Sequence, residues 1–528
     1  MMNSSVRIKW YALGLFFILS GKTNHAQSTS SNLPNVIIIL ADDMGYGDVS
    51  GLNPRAKTYT PNIDLLIRRG LTFSTAHASA SVCTPSRYGL LTGRYGFRSD
   101  KAAKGISGFH GPVIENSRST LANVFSKAGY QTACIGKWHL GLEWSTLDGN
   151  SMASYDNNTG TSNIDFTKPV KNGPNHHGFD YSFIHPASLD MPPYVFLRNG
   201  MATDHKIWLT NQVYPSSQED TEVSWDKKHT QEGDVYWNKG VWWRKGEIAA
   251  SFKVENCLSE IKEEGINFIK KQNFINQTKS EDSQQPFFLY LPLTGPHTPW
   301  LPEDKYKGKS ALGDYGDFVL NIDGIVGEIY QTLVDLDIDE ETIIIFTSDN
   351  GAYWPEEEII AQSHDSNWGS RGQKGDIWDG GHRIPLVMHW PNHIAEGQTY
   401  DGLISLTDFY ATFKELTNQA MEVNEGEDSF SFLSVLFNGL PSNRSSMIHH
   451  SSKAMFAIRD RGWKLIDGQG SGGFTESSSE VGGTSAPGQL YWIESDNIES
   501  NNYYLEKPTR VAELKTKLTQ QIESGRSN

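Results

Sequence analysis

Cysteine is scarce in this chain, with only Cys83, Cys134 and Cys257 among 528 residues. So few cysteines exclude a disulfide framework as the main source of stability. No cluster of cysteine and histidine has the spacing of a zinc site either. The length instead predicts one large domain with a smaller companion, enough to bury a substantial core. Whether Cys134 and Cys257 pair is left open by the sequence.

Basic residues are outnumbered, with 46 Lys and Arg against 62 Asp and Glu and a formal charge of -16. This balance argues against a nucleic-acid partner, because binding to phosphates needs a basic surface. It does not exclude an anionic sugar, since a few basic side chains and a metal can build one local positive pocket.

Long apolar runs are missing as well. The run at residues 10–19 is too short to span a bilayer and no later segment is longer, so we predict no membrane span. Arg7 and Lys9 precede this run, and small and polar residues follow it. That pattern predicts a signal peptide at residues 1–26 and an exported protein, periplasmic or secreted. No cysteine follows the run, which argues against a lipid anchor.

Oxygen-bearing side chains follow two short apolar runs, at residues 35–40 and 342–348, that are typical of strands buried on both faces. These side chains are Asp42, Asp43, Asp349 and Asn350. Open α/β sheets place ligands at the carboxyl ends of their strands, so the four are candidate metal ligands. A set that offers only oxygen favours a hard cation. For the first pair alone, a solvated turn with capping acids is the alternative.

Residues 81–93 have the pattern of a strand-to-helix elbow. Pro85 suits the first helical turn, where its missing N–H costs nothing, and Gly93 is expected to end the helix. The helix amino terminus and Arg87, one turn after Cys83, make a nest that attracts an anion. A buried cysteine in a capped helix is the alternative for this stretch taken alone.

Three further side chains stand in stretches that are candidates for the same site. Residues 129–141 are interpreted as a strand that carries Lys137 and His139 on one face, because strand side chains alternate. His297 follows the apolar run at residues 287–293, where another strand is expected to end. A lysine and histidine pair such as Lys137 and His139 is more often a surface feature, which is the alternative for this pair taken alone.

The motifs together resemble the formylglycine-dependent sulfatases of the alkaline phosphatase superfamily, and more closely the bacterial polysaccharide sulfatases. Cys83-Thr84-Pro85-Ser86-Arg87, followed by two residues, Leu90-Leu91 and Thr92-Gly93, resembles the first signature of that family. Gly129-Tyr130-x-Thr132 with Gly136-Lys137-Trp138-His139 resembles the second. Lys374 followed by Asp379-Gly380-Gly381 and Arg383-x-Pro385 resembles a later pattern, in which the family more often has glutamate at the position of Asp379.

The resemblance implies that Cys83 is oxidised to Cα-formylglycine by a separate maturation enzyme, either the formylglycine-generating or the anaerobic type. It also implies one calcium ion per chain, with magnesium a weaker possibility. The implied metal ligands are Asp42, Asp43, the modified Cys83, Asp349 and Asn350.

The resemblance further implies a role for each remaining side chain. One hydroxyl of the aldehyde hydrate attacks sulfur, while His297, with Lys374, protonates the leaving oxygen. His139 takes the proton of the second hydroxyl as sulfate is expelled. Arg87 and Lys137 hold the hydrate and the sulfate.

The expected fold is α/β, with a large mixed, mainly parallel sheet sandwiched by helices and a small C-terminal antiparallel sheet with one helix. The sulfatase catalytic domain is placed at residues 32–445, with long insertions at about 143–255, and the small subdomain at 446–528. Alternating patterns predict subdomain strands at residues 454–466 and 489–495, and a helix at about 509–524.

The insertions are rich in tryptophan, which suits either sugar stacking or packing within the loops. These tryptophans are Trp208, Trp225, Trp237, Trp242 and Trp243. Asp190, in a stretch similar to bacterial polysaccharide sulfatases, is a candidate to bond a sugar hydroxyl. We expect a sulfated polysaccharide as the substrate, with algal polymers such as ulvan or carrageenan favoured and glycosaminoglycans left open. A phosphodiesterase or phosphonate hydrolase of the same superfamily, and a non-catalytic protein that binds sulfated glycans, are the alternatives.

Overall fold

The computed structural model describes residues 33–214, 243–354, 356–475 and 486–528. Residues Pro34–Asn528 form one compact unit. The expected signal peptide lies outside the described residues, as do Trp225, Trp237 and Trp242. Among the residues that the structure does describe, no helix has the length and apolarity that a membrane crossing requires.

The strands are β1 (Asn35–Asp42), β2 (Leu71–Phe73), β3 (Ala76–His77), β4 (Gln131–Lys137), β5 (Tyr155–Asp156), β6 (Thr161–Ser162), β7 (Tyr181–His185), β8 (Leu197–Arg198), β9 (Met201–Ala202), β10 (Ile207–Leu209), β11 (Glu247–Ala249), β12 (Phe287–Pro296), β13 (Thr342–Ser348), β14 (Leu386–His389), β15 (Gln398–Tyr400), β16 (Ile404–Ser405), β17 (Ser446–His450), β18 (Phe456–Asp460), β19 (Trp463–Ile466) and β20 (Gln489–Trp492). The helices are α1 (Pro61–Arg69), α2 (Cys83–Thr92), α3 (Leu121–Lys127), α4 (Thr210–Val213), α5 (Cys257–Gln277), α6 (Gly313–Asp335), α7 (Glu356–Gln362), α8 (Asp379–His382), α9 (Asp408–Leu416), α10 (Leu433–Asn438) and α11 (Pro508–Glu523).

A ten-stranded mixed sheet forms the core, in the order β15-β2-β14-β13-β1-β12-β4-β7-β8-β9. Its five central strands, from β13 to β7, are parallel. In the register of the sheet, Ile38 of β1 pairs with Ile345 of β13 on one side and with Tyr290 of β12 on the other. The expected mainly parallel sheet is therefore confirmed.

Helices cover both faces of this sheet. Gly265 of α5 lies against Leu291 of β12, where a Cβ atom would be 3.2 Å from the Leu291 side chain. Phe125 of α3 stacks on Phe288 of the same strand, with ring centroids 4.2 Å apart. Residues 288 and 291 point to opposite faces because strand side chains alternate. The apolar strand runs are thus buried on both sides, as their composition predicts.

The C-terminal part forms a four-stranded antiparallel sheet in the order β17-β18-β19-β20. Helix α11 packs on it through Val511, Leu514 and Leu518. The predicted small antiparallel sheet with one helix is confirmed, with two differences in detail. Residues 454–466 form two strands joined by a turn at residues 461–462, and β17 has no counterpart in the prediction. The division of the chain at residue 445 stays a prediction.

Residues 143–255, for which the sequence predicts irregular insertions, also contain strands β7, β8 and β9 of the main sheet. Strand β7 pairs in parallel with β4, with Lys137 opposite His185. Of the described tryptophans in this region, Trp243 is buried and Trp208 is 40% exposed. Cys134 and Cys257 are both buried and free, so they do not form a disulfide.

Candidate active site

The ends of the central parallel strands meet at one edge of the sheet and carry the candidate side chains. Asp42 is the last residue of β1 and Lys137 the last of β4, while Asp349 directly follows β13. His297 directly follows β12. All four are buried. The expected convergence at the carboxyl edge of the sheet is therefore what the strand order produces.

Helix α2 brings Cys83 to this edge as its first residue, with Val82 as the N-cap. The helix ends at Gly93, whose φ of 65° is left-handed and whose N–H bonds the Gly89 carbonyl. Every residue of the helix is buried, and Cys83 is only 5% exposed. Burial raises the pKa of the Cys83 thiol to about 12. The predicted elbow is thus present, with Cys83 facing the strand ends.

Three of the four oxygen-bearing residues, Asp42, Asp43 and Asp349, lie near the Cys83 sulfur, and Asn350 Nδ2 donates to Asp43 Oδ1 at 2.8 Å. The Cys83 Sγ and carboxylate oxygens of Asp42 and Asp349 all lie within 4.8 Å of one another, and Cys83 forms a second such group with Asp43 and His297. Within the described chain, the buried Asn350 Oδ1 accepts no hydrogen bond, and the buried Asp42 Oδ1 has only Arg87 NH2, at 3.5 Å. Buried oxygens that lack hydrogen bonds are costly, and a cation would satisfy both. The residues present fit a hard cation, because the donors offered at the strand ends are oxygens.

Three positive side chains are locked onto these carboxylates. Arg87 Nε donates to Asp349 Oδ2 at 2.9 Å, Lys137 Nζ to Asp42 Oδ2 at 2.6 Å, and Lys374 Nζ to Asp43 Oδ2 at 2.6 Å. The three positive charges balance the three carboxylates. A bound divalent cation would tip the site to a net positive charge, which suits an anionic substrate.

The buried charges shift one another's pKa. Burial would raise the pKa of Asp42, but Lys137, His297 and Arg87 hold it below its usual value. Burial keeps the pKa of Asp349 above its usual value although Arg87 opposes this. Burial lowers the pKa of Lys374, but the combined attraction of Asp43, Cys83 and Asp42 outweighs this effect and raises it. Lys374 therefore stays charged.

His139 is not where strand alternation predicts it. Strand β4 ends at Lys137, and His139 lies beyond it with a left-handed φ of 52°. Its Nε2 lies 2.8 Å from the Ile106 carbonyl, so Nε2 carries the proton. The Nδ1 atom is buried and bonds no other group in the described chain. Burial, followed by the charge of Lys137, holds the pKa of His139 well below its usual value. His139 is thus a neutral imidazole that can accept a proton at Nδ1.

Ser188 is a site residue that the sequence reasoning missed. Its Oγ accepts a hydrogen bond from Lys137 Nζ at 3.1 Å and lies 3.3 Å from His297 Nε2. His297 Nδ1 donates to the Thr298 carbonyl at 2.6 Å, so the Nε2 of a neutral ring can only accept. The Ser188 hydroxyl therefore links the lysine to the histidine. The sequence singles out Asp190 in this stretch, but a single serine in a loop carries no sequence signal.

Asp190 lies two residues beyond Ser188 and is buried. Its Oδ2 is 3.1 Å from Arg244 NH2.

Asp379, which belongs to the same motif as Lys374, lies outside the group of candidate active-site residues. It pairs with Lys464 at 2.9 Å and Arg459 at 3.4 Å, both on the C-terminal sheet. The acid of that motif thus anchors the subdomain, while the lysine reaches the site.

The C-terminal sheet also supports the site through backbone hydrogen bonds. The His450 carbonyl at the end of β17 accepts from the Ser81 N–H at 3.2 Å. The Ser81 carbonyl accepts from the Gly375 N–H at 2.8 Å, and the Gly375 carbonyl accepts from the Ser452 N–H at 2.9 Å. The segments next to Cys83 and Lys374 are therefore clamped together by the C-terminal part of the chain.

Comparisons with known proteins agree with this arrangement. A model of the sulfatase family matches residues 34–419. An N-acetylgalactosamine-6-O-sulfatase of Bacteroides thetaiotaomicron is 30% identical over 514 residues, which cover 93% of this chain and 94% of that protein. Human arylsulfatase G is 30% identical over 463 residues, or 83% of this chain and 74% of that protein. A solved structure from work on the metabolism of multiple glycosaminoglycans by Bacteroides thetaiotaomicron superposes with a TM-score of 0.76 at 28% identity, covering 94% of this chain and all of that one.

Proposed function

We propose that this chain, which belongs to the sulfatase family and is a sulfuric ester hydrolase, releases inorganic sulfate from a sulfated polysaccharide or its oligosaccharides by means of a formylglycine at position 83 and a calcium ion. The observation that carries the proposal is the position of the Cys83 sulfur, within 4.8 Å of carboxylate oxygens from two different strand ends. A residue modified there would lie beside the proposed cation ligands.

Asp42, Asp43, Asp349 and Asn350 would hold the cation, together with the modified side chain at position 83. A calcium ion bound there would polarise the sulfate oxygens. The hydrate of formylglycine would supply two hydroxyl groups on one carbon, one to attack sulfur and one whose deprotonation lets sulfate leave.

The positive side chains bind and orient the ester sulfate. Arg87 is fixed by Asp349 and by the Lys137 carbonyl, which its NH1 reaches at 2.9 Å. Lys137 and Lys374 are fixed by Asp42 and Asp43. Because these groups already stand in place, they stabilise negative charge on the sulfuryl oxygens without rearranging. Removing one such preorganised group typically costs about 3–4 kcal/mol of transition-state stabilisation.

The two histidines hold protons at different atoms, which divides the acid and base roles between them. His297 donates through Nδ1 to Thr298 and, once protonated at Nε2, gives that proton to the leaving sugar oxygen, with Lys374 assisting. His139 donates through Nε2 to Ile106 and accepts a proton at Nδ1. The base is kept neutral by burial, so it is ready to accept that proton.

For the substrate, the relative that matches nearly the whole chain is named for 6-O-sulfated N-acetylgalactosamine. We therefore place 6-O-sulfated N-acetylgalactosamine units first among the candidates. Algal polymers such as ulvan and carrageenan remain the prediction from the sequence. The predicted export of the chain agrees with a polymeric substrate met outside the cytoplasm.

The test is to express the full chain together with a formylglycine-generating enzyme. The mass of the peptide that contains residue 83 reports conversion, and ion chromatography reports sulfate released with calcium present. The panel holds 6-O-sulfo-N-acetylgalactosamine, ulvan and carrageenan oligosaccharides, 4-nitrophenyl sulfate and a phosphate diester. We expect release from at least one sugar sulfate.

Each alternative predicts a different result in this panel. Faster turnover of the phosphate diester would favour a phosphodiesterase of the same superfamily. Converted protein that binds sulfated sugars without releasing sulfate would favour a non-catalytic binding protein. Release with residue 83 still an ordinary thiol would refute the formylglycine mechanism.

A further inference from the structure

A buried carboxylate, two residues after Ser188, orients a half-exposed guanidinium. The Asp190 side chain is 5% exposed and the Arg244 side chain 42% exposed, with Asp190 Oδ2 3.1 Å from Arg244 NH2. A salt bridge with one partner this exposed contributes little to stability. The geometry of the pair therefore invites a functional explanation.

The pair lies close to the residues that handle the leaving group. Ser188 contacts Lys137 and His297 through its hydroxyl. Asp190 is two residues further along the chain, so its Cα lies within about 7 Å of the Ser188 Cα. Arg244, which pairs with Asp190, is thereby linked to the loop that carries Ser188.

Both partners are fixed by one buried tyrosine. The Tyr194 hydroxyl donates to the Asp190 carbonyl at 2.8 Å and accepts from the Arg244 N–H at 3.2 Å. Close packing holds the two segments as well, since a Cβ atom at Gly246 would lie 2.2 Å from Pro192 Cβ. The ion pair is therefore presented on a rigid base, which is what a recognition site needs.

We propose that Asp190 and Arg244 form a carbohydrate subsite that binds hydroxyl groups of the sugar ring that carries the sulfate. A guanidinium only donates hydrogen bonds and a carboxylate only accepts them, while each sugar hydroxyl does both. The pair therefore offers both kinds of group that a sugar hydroxyl can bond. This subsite rests on the proposed function and adds recognition of the sugar to it.

The experiment measures binding and turnover separately. The Cys83→Ser protein with calcium is titrated with 6-O-sulfo-N-acetylgalactosamine, with the other sugar sulfates of the panel and with 4-nitrophenyl sulfate, which lacks sugar hydroxyls. Adding Arg244→Ala should weaken binding of the best sugar sulfate about 10- to 100-fold, the usual effect of losing a charged hydrogen bond. Binding of 4-nitrophenyl sulfate should change less than about twofold.

Arg198→Ala is the matched control. Arg198 is 49% exposed and pairs with Glu264 at 2.8 Å, much as Arg244 pairs with Asp190. It lies on β8 opposite Phe183, which precedes the carboxyl end of β7. It should leave binding of both ligands unchanged. In the converted enzyme, Arg244→Ala should lower kcat/KM for the sugar sulfate mainly through KM, and spare 4-nitrophenyl sulfate.

The remaining outcomes separate this subsite from the proposed function. If Arg244→Ala lowers the affinity for both ligands equally, the pair only supports the structure of the site. Unchanged affinity for the sugar sulfate, or no binding of any sugar sulfate, would also overturn the subsite. If the sugar binds in an Arg244-dependent manner but converted wild-type enzyme releases no sulfate, the subsite stands and the proposed function fails. If sulfate is released at a rate that does not depend on Arg244, the proposed function stands and the subsite fails.

Discussion

Replacing Ser188 by alanine tests the hydrogen-bonded link between the lysine and the histidine. The hydroxyl is fully buried, 3.1 Å from Lys137 Nζ and 3.3 Å from His297 Nε2. A hydrogen bond to a charged group is worth about 1.5–3 kcal/mol, and each 1.4 kcal/mol is about a factor of ten in rate. We expect kcat to fall roughly 10- to 150-fold, because Lys137 and His297 lose the group that positions them.

The assay is sulfate release from 4-nitrophenyl sulfate by enzyme with equal formylglycine content, so that differences in maturation do not enter. Ser182→Ala is the control, since that hydroxyl is also buried and donates to Asn175 Oδ1 at 2.6 Å. Ser182 lies near the amino end of β7, away from the carboxyl edge of the sheet that carries the site. It should lower stability by about 1 kcal/mol and leave kcat unchanged. A Ser188→Ala enzyme that keeps more than half of the wild-type kcat would refute the reasoning.

Three further predictions concern the nucleophile, the metal ion and the stability of the fold at low pH. Cys83→Ser should keep the fold, because the change hardly alters side-chain volume, and should abolish turnover; appreciable turnover would sink the formylglycine mechanism. A chelator should lower both activity and thermal stability, and calcium restored at 100 times its Kd should add about 2.7 kcal/mol to the free energy of unfolding. Thermal denaturation would detect this increase, and its absence would count against a resident cation. His382 and His449 are buried, bond no group in the described chain through either ring nitrogen, and have their pKa held well below the usual value by burial. As the pH falls, the unfolded chain then takes up protons before the folded chain does, so the free energy of unfolding should fall below about pH 6.5 by up to about 1.4 kcal/mol per pH unit for each histidine. Denaturant unfolding at two pH values measures this fall, which should be smaller in His449→Gln. An equal fall in the wild-type and variant proteins would exclude His449 as a source.

The parts of the site that follow regular strands and signature motifs could be predicted from the sequence. Asp42 and Asp349 stand at the ends of apolar, mostly β-branched runs, and runs of this composition are typical of strands buried on both faces. The elbow at Cys83 follows from proline and glycine, whose backbone preferences are local.

The parts that depend on tertiary packing could not be predicted. Strand alternation predicts His139 on the face of Lys137, but the strand ends at Lys137 and His139 adopts a left-handed backbone conformation that no local pattern indicates. Strand β7 lies between glycine-rich and polar segments and is too short to show periodicity. Ser188 reaches the site only because β7 pairs with β4, a contact between distant parts of the chain.

The hydrogen bond between Ser81 and the His450 carbonyl has a consequence for how the protein is made. In the folded chain, the cysteine at the start of α2 is covered, and a strand synthesised more than 350 residues later closes the segment before it. Under the proposed function, an enzyme that oxidises Cys83 would therefore have to reach it before this segment is closed. Faster folding would then yield more inert protein, and a delay in C-terminal docking would favour the active form.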